Sequence, residues 1–209
     1  MGELRGAEAT VASEPHRAPR TERGRRTRRA LLDAAAIEFG ERGFHDSSIV
    51  GITQRAGVAL GSFYTYFESK EAIFHALVSD MSATVGAVGA AAVEGLDHPL
   101  DREQAVTSAF IAFASEHKEL YRIIDEAEFV DPTTWRAHYE TAATRITARL
   151  KLGAENNYLR ADIGEVEAWA LMGMNVFLGM RFGVWGRDVT PEEIGRRVAA
   201  LLKQGLARE

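Results

Sequence analysis

The chain of 209 residues has a net charge of −5, is 46% hydrophobic and 26% charged, and contains no cysteine. That length allows one sizeable core, or a small module joined to a larger one. Without cysteine, disulfides and thiolate metal sites are excluded, and a reducing cytoplasm is the expected compartment. No apolar stretch has the length or purity of a signal peptide or a bilayer-spanning helix, so we expect neither export nor a membrane segment.

Charge is distributed unevenly along the chain. Residues 1–29 contain eight arginines and four glutamates, a net +4 that leaves −9 on the remainder. An arginine-rich end ahead of an acidic body favours a polyanionic partner at that end. Residues 1–20 fit a solvated tail equally well. The denser cluster at residues 23–29, which includes Arg26, is the stronger candidate because like charges repel one another unless an anion compensates them.

The fold is predicted to be all-α, with about nine helices. Residues 1–22 lack apolar periodicity and are predicted to be a disordered arm. A first helix is expected to end near Gly43. Two short helical elements follow within residues 49–67, with Gly57 between them, and Ser69 is predicted to cap a long helix that reaches about residue 95.

The second part of the chain is also predicted to be helical. Residues 96–100 are interpreted as a linker, and further helices are expected over about residues 102–117, 119–128, 132–153, 163–186 and 191–207. Pro132 and Pro191 each follow a capping side chain. They indicate helix starts, because proline's missing N–H costs nothing at the first helical position.

Residues 48–67 combine two short helices and a glycine in twenty residues, which is typical of a helix-turn-helix. Ile52 and Ala56 belong to the inner stripe of the first helix, while Phe63 and Phe67 anchor the second. A second helix placed in this way can enter a DNA major groove about 12 Å wide. Any helical hairpin with a glycine turn shares the pattern, so its context matters.

That context is specific. The runs Ala56-Gly57-Val58, Gly61-Ser62-Phe63-Tyr64, Tyr66-Phe67 and Ser69-Lys70-Glu71-Ala72 resemble the signature of the TetR family, including its spacing from Phe39 and Gly43-Phe44. The specific resemblance covers about residues 27–77. It implies a DNA-binding domain over residues 23–68, a ligand-binding and dimerisation domain over residues 69–209, and no cofactor.

By this resemblance, the contacts to double-stranded DNA come from the second short helix and its surroundings. The implied residues are Ser48, Ala59, Leu60, Gly61, Ser62, Tyr64, Tyr66 and Lys70, and the arginine cluster adds Arg26. Tyr64 and Lys70 match phosphate clamps. The structural alternative is a helix cap for Ser48, and packing or solvation for the others.

Two positions depart from the family. Ala59 and Leu60 stand where the family often has a serine and a basic residue. The arginine arm could restore the lost affinity, because each neutralised phosphate releases condensed counterions.

The segment 102–186 is rich in large apolar residues, most of which must form core. The family's cavity for a small hydrophobic effector lies among the middle helices. The predicted lining residues are Phe113, Tyr121, Ile124, Trp135, Tyr139, Met172 and Phe177. Residues 117–129 are similar to members that sense acyl or arylacyl thioesters of coenzyme A. The phosphates of such a ligand would need cations from Arg122, Arg136, Arg145 or Arg181, which could equally be solvated.

The last two helices resemble the pair through which the family forms homodimers. The predicted facing residues are Ala170, Met174, Arg181, Val198, Leu201 and Leu202. An intramolecular helical hairpin is the alternative. A dimer would place two recognition helices about 34–36 Å apart on a palindromic operator.

The implied function is a repressor that a ligand releases from DNA, because a ligand that prefers the spread form lowers DNA affinity by that preference. An enzyme is not expected, since the chain lacks a phosphate-cradling glycine loop, a nucleophile elbow and a helical zinc motif. The alternatives are a ligand-independent regulator, or a metal-responsive one that uses His117, Asp125, Glu128 or His138.

Overall fold

The structure is a computed structural model that describes residue 19, residues 21–186 and residues 188–206. Within these ranges every extended regular element is a helix, as predicted. The helices are α1 (Glu22–Asp46), α2 (Ile49–Ala56), α3 (Leu60–Phe63), α4 (Lys70–Ala92), α5 (Pro99–Glu116), α6 (Glu119–Val130), α7 (Pro132–Glu155), α8 (Glu165–Leu178), which continues as a π-helix over Gly179–Trp185, and α9 (Pro191–Leu206). Most of the predicted arm, residues 1–18 and 20, lies outside the described residues.

Side-chain caps fix several helix starts where the sequence predicts them. The Ser48 hydroxyl accepts a hydrogen bond from the Gly51 amide at 3.0 Å, and the Ser69 hydroxyl accepts one from the Ala72 amide at 3.1 Å. Asp131 accepts one from the Thr134 amide at 3.0 Å, next to Pro132 at the start of α7. These side chains satisfy amides that have no partner inside their helix.

Two glycines with positive φ end helices at the predicted places. Gly57 (φ 67°) closes α2, and Gly43 (φ 79°) interrupts α1 three residues before its end. The left-handed region is open to glycine because it has no Cβ. The chain can therefore turn sharply on both sides of α2.

Two boundaries differ from the prediction. The linker was expected over residues 96–100, but α5 already begins at Pro99. The His98 side chain caps α5 by accepting a hydrogen bond from the Leu100 amide. The proline rule that places α7 and α9 applies here as well. The single helix expected over residues 163–186 is regular only from Glu165 to Leu178.

The molecule has two hydrophobic cores. The first joins α1–α4 with α6, and its largest fully buried side chains are Phe39, Phe63, Phe67 and Phe74. The second joins α5, α7, α8 and α9 and is built mainly of aliphatic side chains such as Ile111 and Leu150. The predicted DNA-binding segment 23–68 therefore completes its core with residues from α4 and α6.

Among the described residues, α4 is long and apolar enough to cross a membrane by length and composition. Its first half is buried in the first core at Ile73, Phe74, Leu77 and Val78. Its second half lines an internal cavity. Of the apolar window, 28% is buried inside the structure.

Candidate functional site

The surface of α2 and α3 is held by contacts behind it. Phe63 and Phe67 are fully buried below α3, and the Val58 amide donates to Thr53 O at 3.1 Å across the turn. Regular helix covers only Leu60–Phe63, after which residues 64–67 continue as hydrogen-bonded turns. The element predicted over residues 58–67 is therefore present, but only one turn of it is regular α-helix.

Most predicted DNA contacts lie on the outer side of this element. Ala59, Leu60, Gly61 and Tyr64 are exposed, and Ser48 is exposed at the start of α2. An open surface of this kind can approach a phosphate backbone.

The remaining predicted contacts have mixed surroundings. Ser62 is half-buried, and half-buried Tyr66 packs against the first core with its hydroxyl beside Gly24. Arg26 is exposed on the first turns of α1. The structure therefore brings Tyr66 next to the start of α1, where the arginine cluster begins.

Lys70 does not point at a free surface. Its ammonium donates to Phe44 O at 2.7 Å, Ser47 O at 3.0 Å and His45 O at 3.3 Å, and lies 4.5 Å from the centre of the Phe44 ring. An ammonium has three protons to donate, and these carbonyls take them all. In this structure Lys70 closes the carbonyl end of α1, and the phosphate clamp that the resemblance implies stays a prediction.

A buried ion pair that the sequence does not reveal fixes α2 against α1. Glu38 is 2% exposed, and Arg55 Nε donates to its carboxylate at 2.7 Å. Any side chain at Gly51 would overlap this carboxylate. A glycine inside α2 is the signal that could have pointed to this close approach, because glycine otherwise weakens a helix.

The arginine cluster at the start of α1 is only partly neutralised. Arg25 pairs with Glu22, Arg29 pairs with Asp33 and Asp80, and Arg28 lies over the Phe67 ring. No ion pair involves Arg23 or Arg26 within the described ranges. These two side chains are exposed, so both can reach an external anion.

A cavity of ≈ 470 Å³ lies among α4–α8. Its wall is mostly apolar, and its volume falls in the range of small-molecule sites, about 300–1,000 Å³. Four of the predicted lining residues are in this wall: Tyr121, Ile124, Tyr139 and Met172. The predicted effector pocket and the cavity thus share these side chains.

Three predicted lining residues are not in the wall. Phe113 and Trp135 pack against the first core instead, and Phe177 is 66% exposed on the outer face of α8. Their aromatic character is consistent with both a cavity and a core, and helix orientation decides between them. The wall contains the second half of α4 instead of these rings, including Gly86 and Gly89.

Two sets of titratable groups lie in the wall, besides the paired Arg149. Asp125 lies with Tyr121 and Tyr139, and burial followed by the Glu128 charge raises the pKa of Asp125. Burial also raises the pKa of both tyrosines, so both are neutral hydrogen-bonding groups. The second set is His138 with Arg145, where burial and then the Arg145 charge lower the pKa of His138 to about 4.

Of the four arginines considered as cations for a coenzyme A ligand, only Arg145 is in the wall. Arg122 donates to Gly40 O and Glu41 O at the end of α1, and Arg181 pairs with Asp188 at 2.7 Å. Arg136 is exposed and outside the cavity.

An exposed apolar stripe runs along α8, and α9 also carries an exposed large apolar side chain, Leu201. Trp169, Ala170 and Phe177 are exposed on α8, Met174 is half-exposed, and Leu201 is 59% exposed on α9. Arg181 is exposed at the end of this stripe.

Two residues predicted to face a second subunit, Val198 and Leu202, are in fact buried in the second core, at 5% and 7% exposure. They lie on the side of α9 that packs on α5, where Gly195 touches Ser108 and Gln104. A one-residue step along a helix turns a side chain by about 100°, so Leu201 faces outward where Leu202 does not.

Comparison with known proteins identifies this architecture. The family described as "Bacterial regulatory proteins, tetR family" matches residues 31–77. The HTH-type transcriptional regulator YdgC of Bacillus subtilis is 31% identical over 195 residues, which cover 88% of this chain and 94% of the relative. The chain belongs to the TetR family of transcriptional regulators. The DNA-facing surface described above is therefore that of a TetR-family helix-turn-helix.

Two further comparisons extend over the whole TetR-family fold. The HTH-type transcriptional repressor KstR2 of Rhodococcus jostii is 26% identical over 189 residues, covering 88% of this chain and 92% of the relative. The crystal structure of FadR from Bacillus subtilis in complex with stearoyl-coenzyme A superposes with a TM-score of 0.74 at 17% identity. It covers 85% of this chain and 98% of FadR. The cavity-bearing body thus has the same fold as that protein.

Proposed function

We propose that this protein is a homodimeric, ligand-responsive repressor that binds a palindromic operator in the cytoplasm and leaves it when a small hydrophobic molecule enters the cavity. The observation that carries the proposal is the physical connection between an exposed helix-turn-helix and an apolar cavity of ≈ 470 Å³. Both α4 and α6 belong to the first core and to the cavity wall. The repressor KstR2 among the relatives supports repression, while the activator FasR of Mycolicibacterium smegmatis is a relative as well.

The exposed stripe on α8 and α9 supports the homodimer. Val166 is 78% exposed, Phe177 66% and Leu201 59%. Large apolar side chains grouped in this way are expected to be covered, because an apolar patch in contact with water is unfavourable. A two-fold axis through the stripe would place two copies of α3 on one face of the DNA.

The side of α6 that faces α1 supports a mechanical connection from the cavity to the DNA-binding helices. Arg122 Nη1 donates to Gly40 O at 3.0 Å and Glu41 O at 2.9 Å, and the Phe44 amide donates to the Glu126 carboxylate at 2.6 Å. Together these bonds hold α6 to the end of α1 on both sides of Gly43, directly before α2. A ligand that pushes Tyr121 or Ile124 from the cavity would move this junction, and the recognition helix with it.

An acyl or arylacyl thioester of coenzyme A is one proposed effector class. The structural similarity to FadR, whose structure contains stearoyl-coenzyme A, supports a ligand of this kind. The alternative of a metal-responsive regulator has less support. Within the described ranges, no three histidine or acidic side chains are grouped as metal ligands would be, and His117, Asp125, Glu128 and His138 are no exception.

Three measurements test the proposal. Selection of bound duplexes from a random pool should give a two-fold symmetric consensus. A thermal-shift screen of acyl thioesters, fatty acids and aromatic compounds should raise the melting temperature, because a ligand that binds only the folded state stabilises it. The compounds that raise it should release the selected duplex.

The dimer is tested by Phe177→Glu, which places a charge in the exposed stripe. We expect sedimentation to show a monomer and operator affinity to fall at least tenfold, because one recognition helix contacts only a half-site. Phe129→Glu is the matched control, since Phe129 is 82% exposed and lies on α6. An unchanged dimer in Phe177→Glu, with unchanged operator affinity, would contradict this interface.

A further inference from the structure

The cavity wall contains one cation whose charge has no carboxylate partner among the described residues. Arg145 lies on α7, and its Nη1 donates to Ser82 O of α4 at 3.2 Å. No ion pair involves it, whereas the other arginine in the wall, Arg149, donates through Nε and Nη2 to the Glu103 carboxylate at 2.7 and 3.0 Å. One guanidinium at the cavity is therefore neutralised and the other is available.

The backbone of α4 leaves space for this side chain. A side chain at Gly86 would overlap the Arg145 guanidinium, so the arginine lies against α4 at a residue without Cβ. Arg145 is exposed as well as part of the cavity wall, which places its guanidinium where the cavity meets solvent.

His138 provides a second polar group on the same side of the cavity. Its Nδ1 is buried and has no hydrogen-bond partner in the structure. Arg145 lies two helical turns further along α7, and side chains on a helix lean toward its N-terminus, so Arg145 extends back toward His138. The effect of the Arg145 charge on the pKa of His138 agrees with this proximity.

We infer that the effector is amphiphilic, with carboxylate or phosphate oxygens bound by Arg145 near His138 and an apolar body packed in the cavity. This inference rests on the proposed function and names the chemistry that its ligand must have. Arg145 would donate charge-assisted hydrogen bonds to these oxygens. The buried Nδ1 of His138 is shielded from the cavity, so His138 would act on the anion through the charge it carries when protonated.

The apolar body would lie against side chains from several helices. They are Val85, Phe110, Ile124, Ile146, Met172 and Val176. The carboxylate of Asp125 lies near the two tyrosines, and it would repel an anion bound beside it. The wall therefore favours one direction of entry for the ligand.

A proton should accompany the anion. Neutral His138 is favoured in the free protein by burial and by the Arg145 charge, and an anion between them would offset both effects. The titratable and charged groups of the wall are Tyr121, Asp125, His138, Tyr139, Arg145 and Arg149. Affinity for an anionic ligand should consequently rise as the pH falls from about 7 to about 5.5, and His138→Gln should weaken that rise.

The test compares three probes on the full-length protein by calorimetry: decanoate, decanol and decanoyl-coenzyme A. We expect the wild type to bind decanoate about tenfold more tightly than decanol, since hydrogen bonds to charged groups contribute that much. Arg145→Gln should remove the preference and leave decanol binding unchanged. Arg136→Gln, the same substitution on the same helix but outside the cavity wall, should preserve the preference.

Each outcome either supports the anionic head group or overturns it. Tight binding of decanoyl-coenzyme A alone, lost in Arg145→Gln, would support phosphate as the bound anion. Equal or tighter binding of decanol would overturn the anionic head group while leaving the proposed function intact. If none of the three probes binds, this inference is wrong, and the thermal-shift screen then reports separately whether the cavity takes any ligand.

Discussion

The two cores of the molecule are filled in different ways. In the first, rings pack directly on one another: Phe39 and Phe74 meet edge to face at 5.2 Å, and Phe44 and Phe74 at 5.0 Å. In the second, aliphatic side chains pack between helices that also enclose a cavity of ≈ 470 Å³. The part of the chain that faces DNA is close-packed, and the part that faces the ligand is not.

This difference explains how one small chain can both read DNA and respond to a ligand. A close-packed core holds α2 and α3 in one geometry, because close-packed interiors transmit strain and do not deform gradually. A cavity leaves helices with fewer contacts to lose, so the body can adjust around a ligand at lower cost. We therefore expect the response of the body to reach the DNA-facing part as a rigid displacement.

The largest expected effect comes from Phe74→Ala in the first core. Phe74 is fully buried, and truncation should lower the free energy of unfolding by about 3–5 kcal/mol. Val176→Ala, at a half-buried position in the cavity wall, should cost about 1 kcal/mol because part of its surroundings is already empty. Chemical denaturation at one fixed protein concentration measures both, since dimer dissociation is coupled to unfolding.

Equal losses for the two variants would show that the cavity wall is as tightly packed as the first core. The contrast between a close-packed first core and a loosely packed cavity wall would then be wrong. An operator affinity that survives in Phe74→Ala at full protein folding would also contradict the view that this core fixes the recognition helix.

Local rules predicted much of the fold. Ser48, Ser69, Gly57 and Pro132 each act within a few residues of their own position, so the sequence alone indicates the caps and turns that the structure contains. The family motif over residues 31–77 extends these rules to the helix-turn-helix.

Contacts between distant segments were not predictable in this way. Lys70 binds carbonyls more than twenty residues away, and Val198 and Leu202 were placed on the wrong face of α9 because the turn of that helix is set by its packing on α5. The cavity depends on Gly86 and Arg145, which come from two helices that the sequence does not align.

The substitution Lys70→Met tests how the first core and the helices around it keep their geometry. Removing the ammonium takes a donor from three carbonyls at the end of α1, of which Phe44 O keeps the Ser47 hydroxyl, so stability should fall by about 2 kcal/mol. The slope of operator affinity against salt concentration should stay the same, because the ammonium is not a phosphate contact in this structure. Arg26→Gln is the matched case with the opposite pattern: unchanged stability and a salt slope reduced by about one.

A salt slope reduced in Lys70→Met would show that Lys70 exchanges its carbonyls for phosphate when DNA binds. The phosphate clamp implied by the family resemblance would then hold in the complex, and the first region would be less rigid than its packing indicates.

The smallest expected effect comes from Arg122→Gln, at the junction between the two regions. The substitution removes the two hydrogen bonds to Gly40 O and Glu41 O but touches neither the cavity nor the surface of α3. Ligand affinity and ligand-free operator affinity should each stay within about twofold. The ligand-induced loss of operator affinity should shrink by about fivefold, or about 1 kcal/mol of coupling.

The measurement is the ratio of operator dissociation constants with and without a ligand from the thermal-shift screen, with Arg136→Gln as the control. Coupling through α6 requires that the ratio change while both separate affinities hold. If the ratio is unchanged, the displacement must travel along α4 instead. The first half of α4 lies in the first core and its second half lies in the cavity wall. If the operator affinity of the ligand-free protein collapses, the junction maintains the DNA-binding geometry itself, and rigidity of the first region then depends on α6 as much as on its own aromatic core.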